Sequence, residues 1–214
     1  MRLISWKTYA AAFVISAFLF AVGILTGAFI AQDASNQLAS ELGLLEKKTG
    51  ELEVLLLFNP NNSTATLCPF YQSTLSEFDK ETTAFGVKID ALEHSQGPKD
   101  ENVLKLKREY TLKQVRDYLL SQKINAECGA KTRTLLYFYT QDCPECIRQG
   151  LEGPPLKRDH PELFIYALDA SLDMPAVNAL QQIHGVTRHP TLILDGKKLE
   201  GFHSKIQIEE ELAS

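Results

Sequence analysis

An apolar run near the N-terminus restricts this chain more than any other feature of its sequence. No charged residue stands between Thr8 and Gln32, and the stretch from Tyr9 to Ala31 is almost unbroken apolar sequence. A helix needs about 20 such residues to cross the hydrocarbon core of a bilayer, whereas a cleaved signal has a core of about 7–15. Thr26-Gly27-Ala28 has the small-x-small pattern of such a cleavage site, but it falls inside the apolar run. We therefore interpret residues 8–31 as a retained membrane anchor rather than a cleaved signal.

The charged residues on either side of this run predict which way it crosses the membrane. Arg2 and Lys7 precede the run, whereas Asp33 and Glu41 follow it and no basic residue appears before Lys47. The cytoplasmic flanks of membrane helices carry the excess of Lys and Arg. We therefore expect a single-pass membrane protein with residues 1–31 as its anchor, a cytoplasmic N-terminus and an extracytoplasmic C-terminal part. In that compartment the four cysteines can hold disulfides.

The overall charge argues against one class of partner. The chain has 214 residues and a formal net charge of −5, with no stripe of Lys and Arg. Proteins that bind nucleic acid usually carry such a stripe. We therefore expect no nucleic-acid partner.

The segment after the anchor has leucines at helical spacing. Residues 32–66 predict an amphipathic helix followed by a linker. Residues 54–58 fit either the end of that helix or a short strand, and residues 59–63 carry the loop signal Asn-Pro-Asn-Asn-Ser.

Two further helices are predicted around a turn signal at residues 94–98. They cover residues 67–94 and 101 to about 124, each with apolar residues at helical spacing. Thr111 and Gln114 match a capping box, which predicts that the second helix restarts at this point.

Cys68 and Cys128 stand at nearly equal distances from that turn, on opposite arms of the predicted hairpin. At about 1.5 Å per residue the two arms have nearly the same length, which brings the two cysteines together at the open end. We predict a structural disulfide there, closing a helical hairpin over residues 67–128; two buried thiols are the alternative. In the chain-entropy description such a disulfide stabilises the fold by about 3–4 kcal/mol.

From residue 129 onward the pattern changes to short strands alternating with helices. Alternation of this kind predicts an α/β domain over residues 129–214, with a mixed four-stranded sheet and flanking helices. The predicted strands cover residues 134–139, 163–168, 191–194 and 198–201, and the helices begin at residues 143, 175 and 205.

The sequence Cys-Pro-Glu-Cys at residues 143–146 follows the first of these strands. Cys143 then occupies the first turn of a helix, where unpaired N–H groups and the helix dipole stabilise a thiolate. Cys146, one turn later, points inward and can attack a mixed disulfide formed on Cys143. Zinc sites use the same spacing but need a second pair, and Cys68 and Cys128 stand apart from each other in sequence. The pair therefore indicates thiol–disulfide exchange, with no metal or cofactor.

At this point the chain resembles the thioredoxin-like superfamily. The resemblance covers about residues 131–214 and rests on YFYTQDCPEC at 137–146 and on Pro190-Thr191, Gly196 and Gly201 further along. It implies that Cys143 and Cys146 are catalytic. It also implies that Pro190 is cis and packs against the cysteine pair, while His189 offers its backbone to an extended substrate segment. His189 departs from the family pattern, in which this position is usually small or apolar.

Other departures bear on the redox properties of the pair. Tyr137 stands where thioredoxins carry a buried aspartate that moves protons for the second thiol. Asp142 and Glu145 place negative charge beside Cys143, which opposes formation of its thiolate and favours a weaker oxidant. Pro144, however, resembles the oxidising members of the family. These three residues are the predicted tuning residues, and the direction of electron flow stays open.

Three classes of function fit these observations. The favoured one is a membrane-tethered thiol–disulfide oxidoreductase that acts on exported proteins and is recycled by a membrane redox partner. The second is a redox-inactive adaptor with a thioredoxin-like fold, in which Cys143–Cys146 is a structural disulfide. The third is delivery of a soft metal ion such as Cu(I), coordinated by Cys143, Cys146 and His189.

Overall fold

A computed structural model of the chain describes residues 6–57, 64–129 and 131–213. The predicted loop at residues 59–63 lies outside the described residues. The predicted division of the chain after residues 31, 66 and 128 remains a prediction. The helices described next continue across the first two of these positions.

The first helix, α1 (Trp6–Leu57), is 52 residues long and contains both the apolar run and the amphipathic segment. Within the described residues, the part Tyr9–Leu57 is the one helix long and apolar enough to cross a membrane, and its apolar window is not buried by the rest of the protein. Large side chains such as Phe13 and Phe29 are exposed there. The helix continues to Leu57, so the ambiguous apolar segment ends α1 instead of forming a strand.

The hairpin consists of α2 (Thr64–Gln96) and α3 (Glu101–Cys128). Asp100 caps α3, because its carboxylate accepts hydrogen bonds from the N–H groups of Asn102 and Val103 at 2.9 and 3.1 Å. The prediction that the second helix restarts at Thr111 is wrong, since α3 runs without a break. Thr111 lies in the middle of this helix and is buried in the fold.

The second half of α1 packs against the hairpin to form a three-helix bundle. Near the hairpin turn the bundle core is apolar and includes Leu42, Phe85 and Val103. Further along it contains a buried ion pair in which Lys113 Nζ lies 2.6 Å from Asp117 Oδ2. Thr49 and Thr82 donate hydrogen bonds to the same carboxylate at 3.3 and 3.0 Å. Buried charges of this kind persist because they are paired and hydrogen-bonded.

The C-terminal part forms the predicted mixed sheet with flanking helices. Its elements are β1 (Thr134–Tyr139), α4 (Pro144–Asp159), β2 (Phe164–Asp169), α5 (Pro175–Ile183), β3 (Thr191–Leu194), β4 (Lys197–Glu200) and α6 (Lys205–Ala213). A 3-10 turn (Ala170–Leu172) follows β2. The strand order is β2-β1-β3-β4. The strand β1 pairs parallel with β2 and antiparallel with β3, which pairs antiparallel with β4.

Each face of the sheet is covered by helices. On one face, Leu135, Leu192 and Leu199 share a core with residues of α4 and α6. On the other face, Leu136 and Tyr166 share a core with α5 and with the helical bundle. The bundle and the α/β unit therefore pack together around one continuous core rather than as separate bodies.

Polar contacts fix the hairpin against the sheet. The side chain of Gln114 on α3 accepts from Ala167 N and donates to Ala167 O, at 2.9 and 3.0 Å, and so satisfies the outer backbone groups of the edge strand β2. On the other side, Lys157 near the end of α4 bonds Asp79 of α2 at 2.5 Å. These contacts tie the hairpin to both an edge strand and a covering helix.

Candidate redox site

Three chain segments meet at the end of the sheet where β1 and β2 finish, which we call the carboxyl edge. They are the loop at residues 140–143 after β1, the turn Ala170–Leu172 after β2, and the pair His189–Pro190 before β3. Parallel strands end at the same edge, and an antiparallel neighbour begins there, so the topology brings these segments together.

Cys143 is the N-cap residue of α4, and its sulfur accepts a hydrogen bond from Cys146 N at 3.1 Å. Pro144 occupies the first turn, where the absence of an N–H group costs no hydrogen bond. The two cysteines form a disulfide with their Cα atoms 5.1 Å apart. Cys146 is 2% exposed, whereas Cys143 is partly exposed. Cys143 is therefore the member of the pair that is accessible from outside.

The peptide bond between His189 and Pro190 is cis, and Pro190 is buried. The carbonyl oxygen of His189 lies 3.8 Å from Cys143 Sγ. The backbone of the loop before β3 thus lies directly beside the exposed sulfur, and Pro190 O is held in place by Gly201 N at 2.9 Å.

A side chain of α5, that of Gln181, contacts the imidazole of His189. Its Nε2 lies 2.8 Å from the amide nitrogen of Gln181, which makes Nε2 the acceptor and leaves the ring proton on Nδ1 in the neutral form. Burial lowers the pKa of His189, and the negative charge of Asp169 partly opposes this shift. The ring therefore favours its neutral form beside the cysteine pair.

Tyr137 connects β1 to the helix that carries the cysteines. Its hydroxyl donates a hydrogen bond to the carbonyl of Cys146 at 2.5 Å, and its ring stacks on Tyr139 with centroids 5.2 Å apart. Burial, with a smaller contribution from Asp169, raises the pKa of Tyr137 well above its ordinary value. Tyr137 thus stays protonated at neutral pH and acts as a hydrogen-bond donor that holds Cys146.

Asp169 is a site residue that the sequence reasoning missed. It ends β2 and is 1% exposed, and its carboxylate lies 3.1 Å from Lys107 Nζ of α3. It also accepts from Ser171 N at 2.9 Å and from the amide of Gln141 at 3.4 Å, two residues before Cys143. The sequence feature that could have identified Asp169 is an acidic residue directly after a predicted buried strand, at the same end of the sheet as the cysteines.

The predicted tuning residues surround the pair on its outer side. Asp142, Pro144 and Glu145 are all exposed. Arg148, one turn into α4, places its guanidinium 4.2 Å from the ring centroid of Phe202. The exposed carboxylates of Asp142 and Glu145 place negative charge close to Cys143.

The second cysteine pair lies elsewhere. Cys68 and Cys128 form a disulfide at the open end of the hairpin, with Cα atoms 5.6 Å apart and a sequence separation of 60. It therefore links α2 to α3 and does not contribute to the carboxyl edge.

The described parts of the chain contain no group of three or more His, Cys, Asp and Glu side chains that could hold a metal ion. Of the three residues named for Cu(I), Cys143 and Cys146 are joined in a disulfide. The third, His189, has its Nε2 occupied by Gln181.

The sequence matches no protein-family model and no curated protein. Solved structures with similar folds include several thioredoxins. Chloroplastic thioredoxin z is 18% identical, with 44% of this chain and 86% of that chain covered and a TM-score of 0.35. Desulfothioredoxin from Desulfovibrio vulgaris Hildenborough is 22% identical, with 39% and 81% covered and a TM-score of 0.34. Fasciola hepatica thioredoxin is 18% identical, with 45% and 89% covered and a TM-score of 0.33.

Similarities at this level leave the function to be argued from the residues of this chain. Its own features are a mixed four-stranded sheet, a Cys-x-x-Cys pair between the first strand and the following helix, and a cis-proline facing that pair. These define a thioredoxin-like fold, and they are the features of a protein class that carries out thiol–disulfide chemistry.

Proposed function

We propose that this chain is a membrane-tethered thiol–disulfide oxidoreductase that acts on exported proteins. The observation that carries the proposal is the unequal exposure of the two cysteines, with Cys143 partly exposed at the start of α4 and Cys146 buried. A structural disulfide has no need of this asymmetry, whereas exchange chemistry requires one sulfur to be attacked and the other to leave.

In the oxidised state a substrate thiolate attacks Cys143 Sγ. The Cys143–Cys146 bond breaks, a mixed disulfide forms and Cys146 leaves as a thiolate. A second substrate thiolate then attacks the substrate sulfur of the mixed disulfide, which releases Cys143 as a thiolate. Two electrons have passed from the substrate dithiol to the cysteine pair. The reverse sequence, with the dithiol form attacking a substrate disulfide, uses the same groups.

The surrounding residues have roles that follow from their positions. The helix start provides N–H groups and the positive end of the helix dipole for the Cys143 thiolate. The backbone at His189, 3.8 Å from the sulfur, is placed to bind an extended substrate segment, and Pro190 keeps that backbone in position. Asp142 and Glu145 oppose the thiolate by their charge and weaken the pair as an oxidant.

The apolar part of α1 supports the membrane tether. Its side chains are exposed and unpacked, which in water would be a large uncovered apolar surface. Insertion into a bilayer covers them. The flanking charges favour a cytoplasmic N-terminus, which places the redox site outside the cytoplasm with the exported proteins.

The test is a redox equilibration of the full-length protein in detergent with glutathione buffers, read by alkylation of Cys143 and Cys146. A potential near about −120 mV would identify a disulfide donor, and one near about −270 mV a reductant. The variant Cys146→Ser should retain substrates as mixed disulfides on Cys143, and Cys143→Ser should not. A pair that fails to equilibrate, together with no trapped substrate, would refute the enzyme and leave the adaptor.

A further inference from the structure

The helical bundle has two distinct ends, one of which lies where the apolar run stops. At this end the amide of Gln96 donates to the carbonyl of Ala31 at 2.9 Å, and Asn102 at the start of α3 reaches Gln32 at 3.5 Å. The hairpin turn therefore lies at the level where α1 leaves the apolar run. At the other end lies the Cys68–Cys128 disulfide.

The contacts between α3 and the sheet show which way the strands β1 and β2 point. Proceeding along α3 from its start, Lys107 contacts Asp169 at the carboxyl end of β2, then Gln114 contacts Ala167. Further on, Gln122 contacts Thr134 at the beginning of β1, at 3.3 Å. The strands β1 and β2 therefore point back toward the apolar run. The carboxyl edge, which holds the cysteine pair, faces the same way.

The distance between this edge and the apolar run follows from the helix rise. At about 1.5 Å per residue, Lys107 lies about 8 Å further along α3 than Asn102, whereas Cys128 lies about 39 Å further. The loop carrying Gln141 and Cys143 is on the membrane side of the Lys107–Asp169 contact. A bilayer has about 5–8 Å of headgroup on each side of its hydrocarbon core. The redox pair is therefore held at, or just above, the headgroup layer.

We propose that the Cys143–Cys146 pair faces the bilayer in order to exchange disulfides with an integral membrane protein, at a cysteine-containing segment that lies at the membrane surface. This inference rests on the proposed function, including the membrane tether. The continuous helix α1 fixes both the height and the direction of the site. A folded domain of about 100 residues has a radius of gyration of about 13 Å and does not fit into the space of about 8 Å between this edge and the end of the apolar run.

The exchange itself uses the steps given above. A thiolate of the membrane protein attacks Cys143 Sγ and displaces Cys146, and the second thiolate of the same protein resolves the mixed disulfide. The membrane protein is oxidised by two electrons and the Cys143–Cys146 pair is reduced; the opposite direction reverses each bond change. Confinement of both proteins to one surface raises the effective concentration of one pair near the other.

The test uses full-length oxidised protein in phosphatidylcholine vesicles and two dithiol probes with the same reactive group. One is dihydrolipoyl-phosphatidylethanolamine, whose dithiol is fixed at the headgroups, and the other is soluble dihydrolipoamide. The matched variant carries 18 additional residues of polar helix-forming sequence between Ile30 and Ala31. Eighteen residues are five helical turns, so the site is raised by about 27 Å without rotation about the helix axis.

We expect the lengthened variant to be reduced at least about 10-fold more slowly by the headgroup dithiol, and at an unchanged rate by soluble dihydrolipoamide. Equal rates for the two proteins with the headgroup dithiol would overturn the inference and indicate soluble or extended substrates. Failure of the soluble probe to reduce either protein would instead refute the proposed function. The soluble probe also verifies that the variant has kept its folded redox site.

Discussion

The ion pair between Lys107 and Asp169 gives a sharp test of how the hairpin supports the redox site. Lys107 is 7% exposed at its side chain and lies 3.1 Å from Asp169 and 3.0 Å from Glu93. Replacing it by methionine keeps the length and apolar character of the side chain and removes its charge. Asp169, which is 1% exposed, then keeps its negative charge with hydrogen bonds from Ser171 and Gln141 alone among the contacts described.

Removing one partner of a buried ion pair costs about 3–5 kcal/mol, because the other charge stays buried without compensation. At about 1.4 kcal/mol per tenfold change, the folding equilibrium of Lys107→Met falls by a factor of more than about 100. The control is Lys105→Met on the exposed face of the same helix, which should change stability by no more than about 0.5 kcal/mol. The double variant Lys107→Met/Asp169→Asn removes the uncompensated charge and should recover at least about 1.5 kcal/mol.

The measurement is the urea-dependent loss of the near-ultraviolet circular dichroism of the full-length protein in detergent, with one unfolding curve for each variant. The reasoning fails if Lys107→Met costs no more than Lys105→Met. It also fails if the effects of the two substitutions in the double variant are simply additive, since the charges would then not be coupled.

Three further outcomes are expected from the same unfolding assay. Replacing Cys68 and Cys128 by alanine should lower the free energy of unfolding by about 4 kcal/mol, as expected for a 60-residue loop in the chain-entropy description, and an unchanged urea midpoint would contradict it. Tyr137→Phe removes the donor to the carbonyl of Cys146 and should cost about 1–2 kcal/mol, whereas a stabilising effect would show that this hydrogen bond is absent in solution. Burial lowers the pKa of His184, so protonation favours the unfolded state. Stability should therefore decrease as the pH falls below about 6.5, and His184→Gln should flatten that decrease; identical pH profiles would refute the assignment.

Much of the α/β part could be predicted from sequence because its signals are local. The strand at 134–139, the helix at 175–183 and the strand at 191–194 occur at the predicted positions. Each is a short run of apolar residues bounded by a residue that interrupts regular structure, such as Pro175 before the helix or Gly196 after the strand. Such boundaries are encoded by a few neighbouring residues.

The capping box at Thr111 shows where local signals fail. A capping box starts a helix when the preceding backbone leaves the helical conformation, and here α3 is packed along its whole length against α1, α2 and β2. Tertiary packing therefore overrides the local preference, and the threonine is buried in the middle of α3.

The contacts that build the site from distant parts of the chain could not be predicted. Lys107 and Asp169 are 62 residues apart in sequence, and Gln114 reaches Ala167 across 53. Nothing in the sequence around Lys107 distinguishes it from the exposed Lys105. Its partner is determined by the angle at which the hairpin meets the sheet, and that angle results from packing of the whole core.

The contacts at the two outer strands bear on whether the sheet can aggregate. A four-stranded sheet has two edges, and an uncovered edge can add a strand from another polypeptide, which is how many aggregates begin. On β2 the Gln114 amide already occupies the backbone groups of Ala167. On β4 the exposed lysines at positions 197 and 198 place charge along the border. Both edge strands, β2 and β4, are therefore protected against pairing with a strand of another polypeptide, whereas Cys143, at the ends of the strands, stays partly exposed.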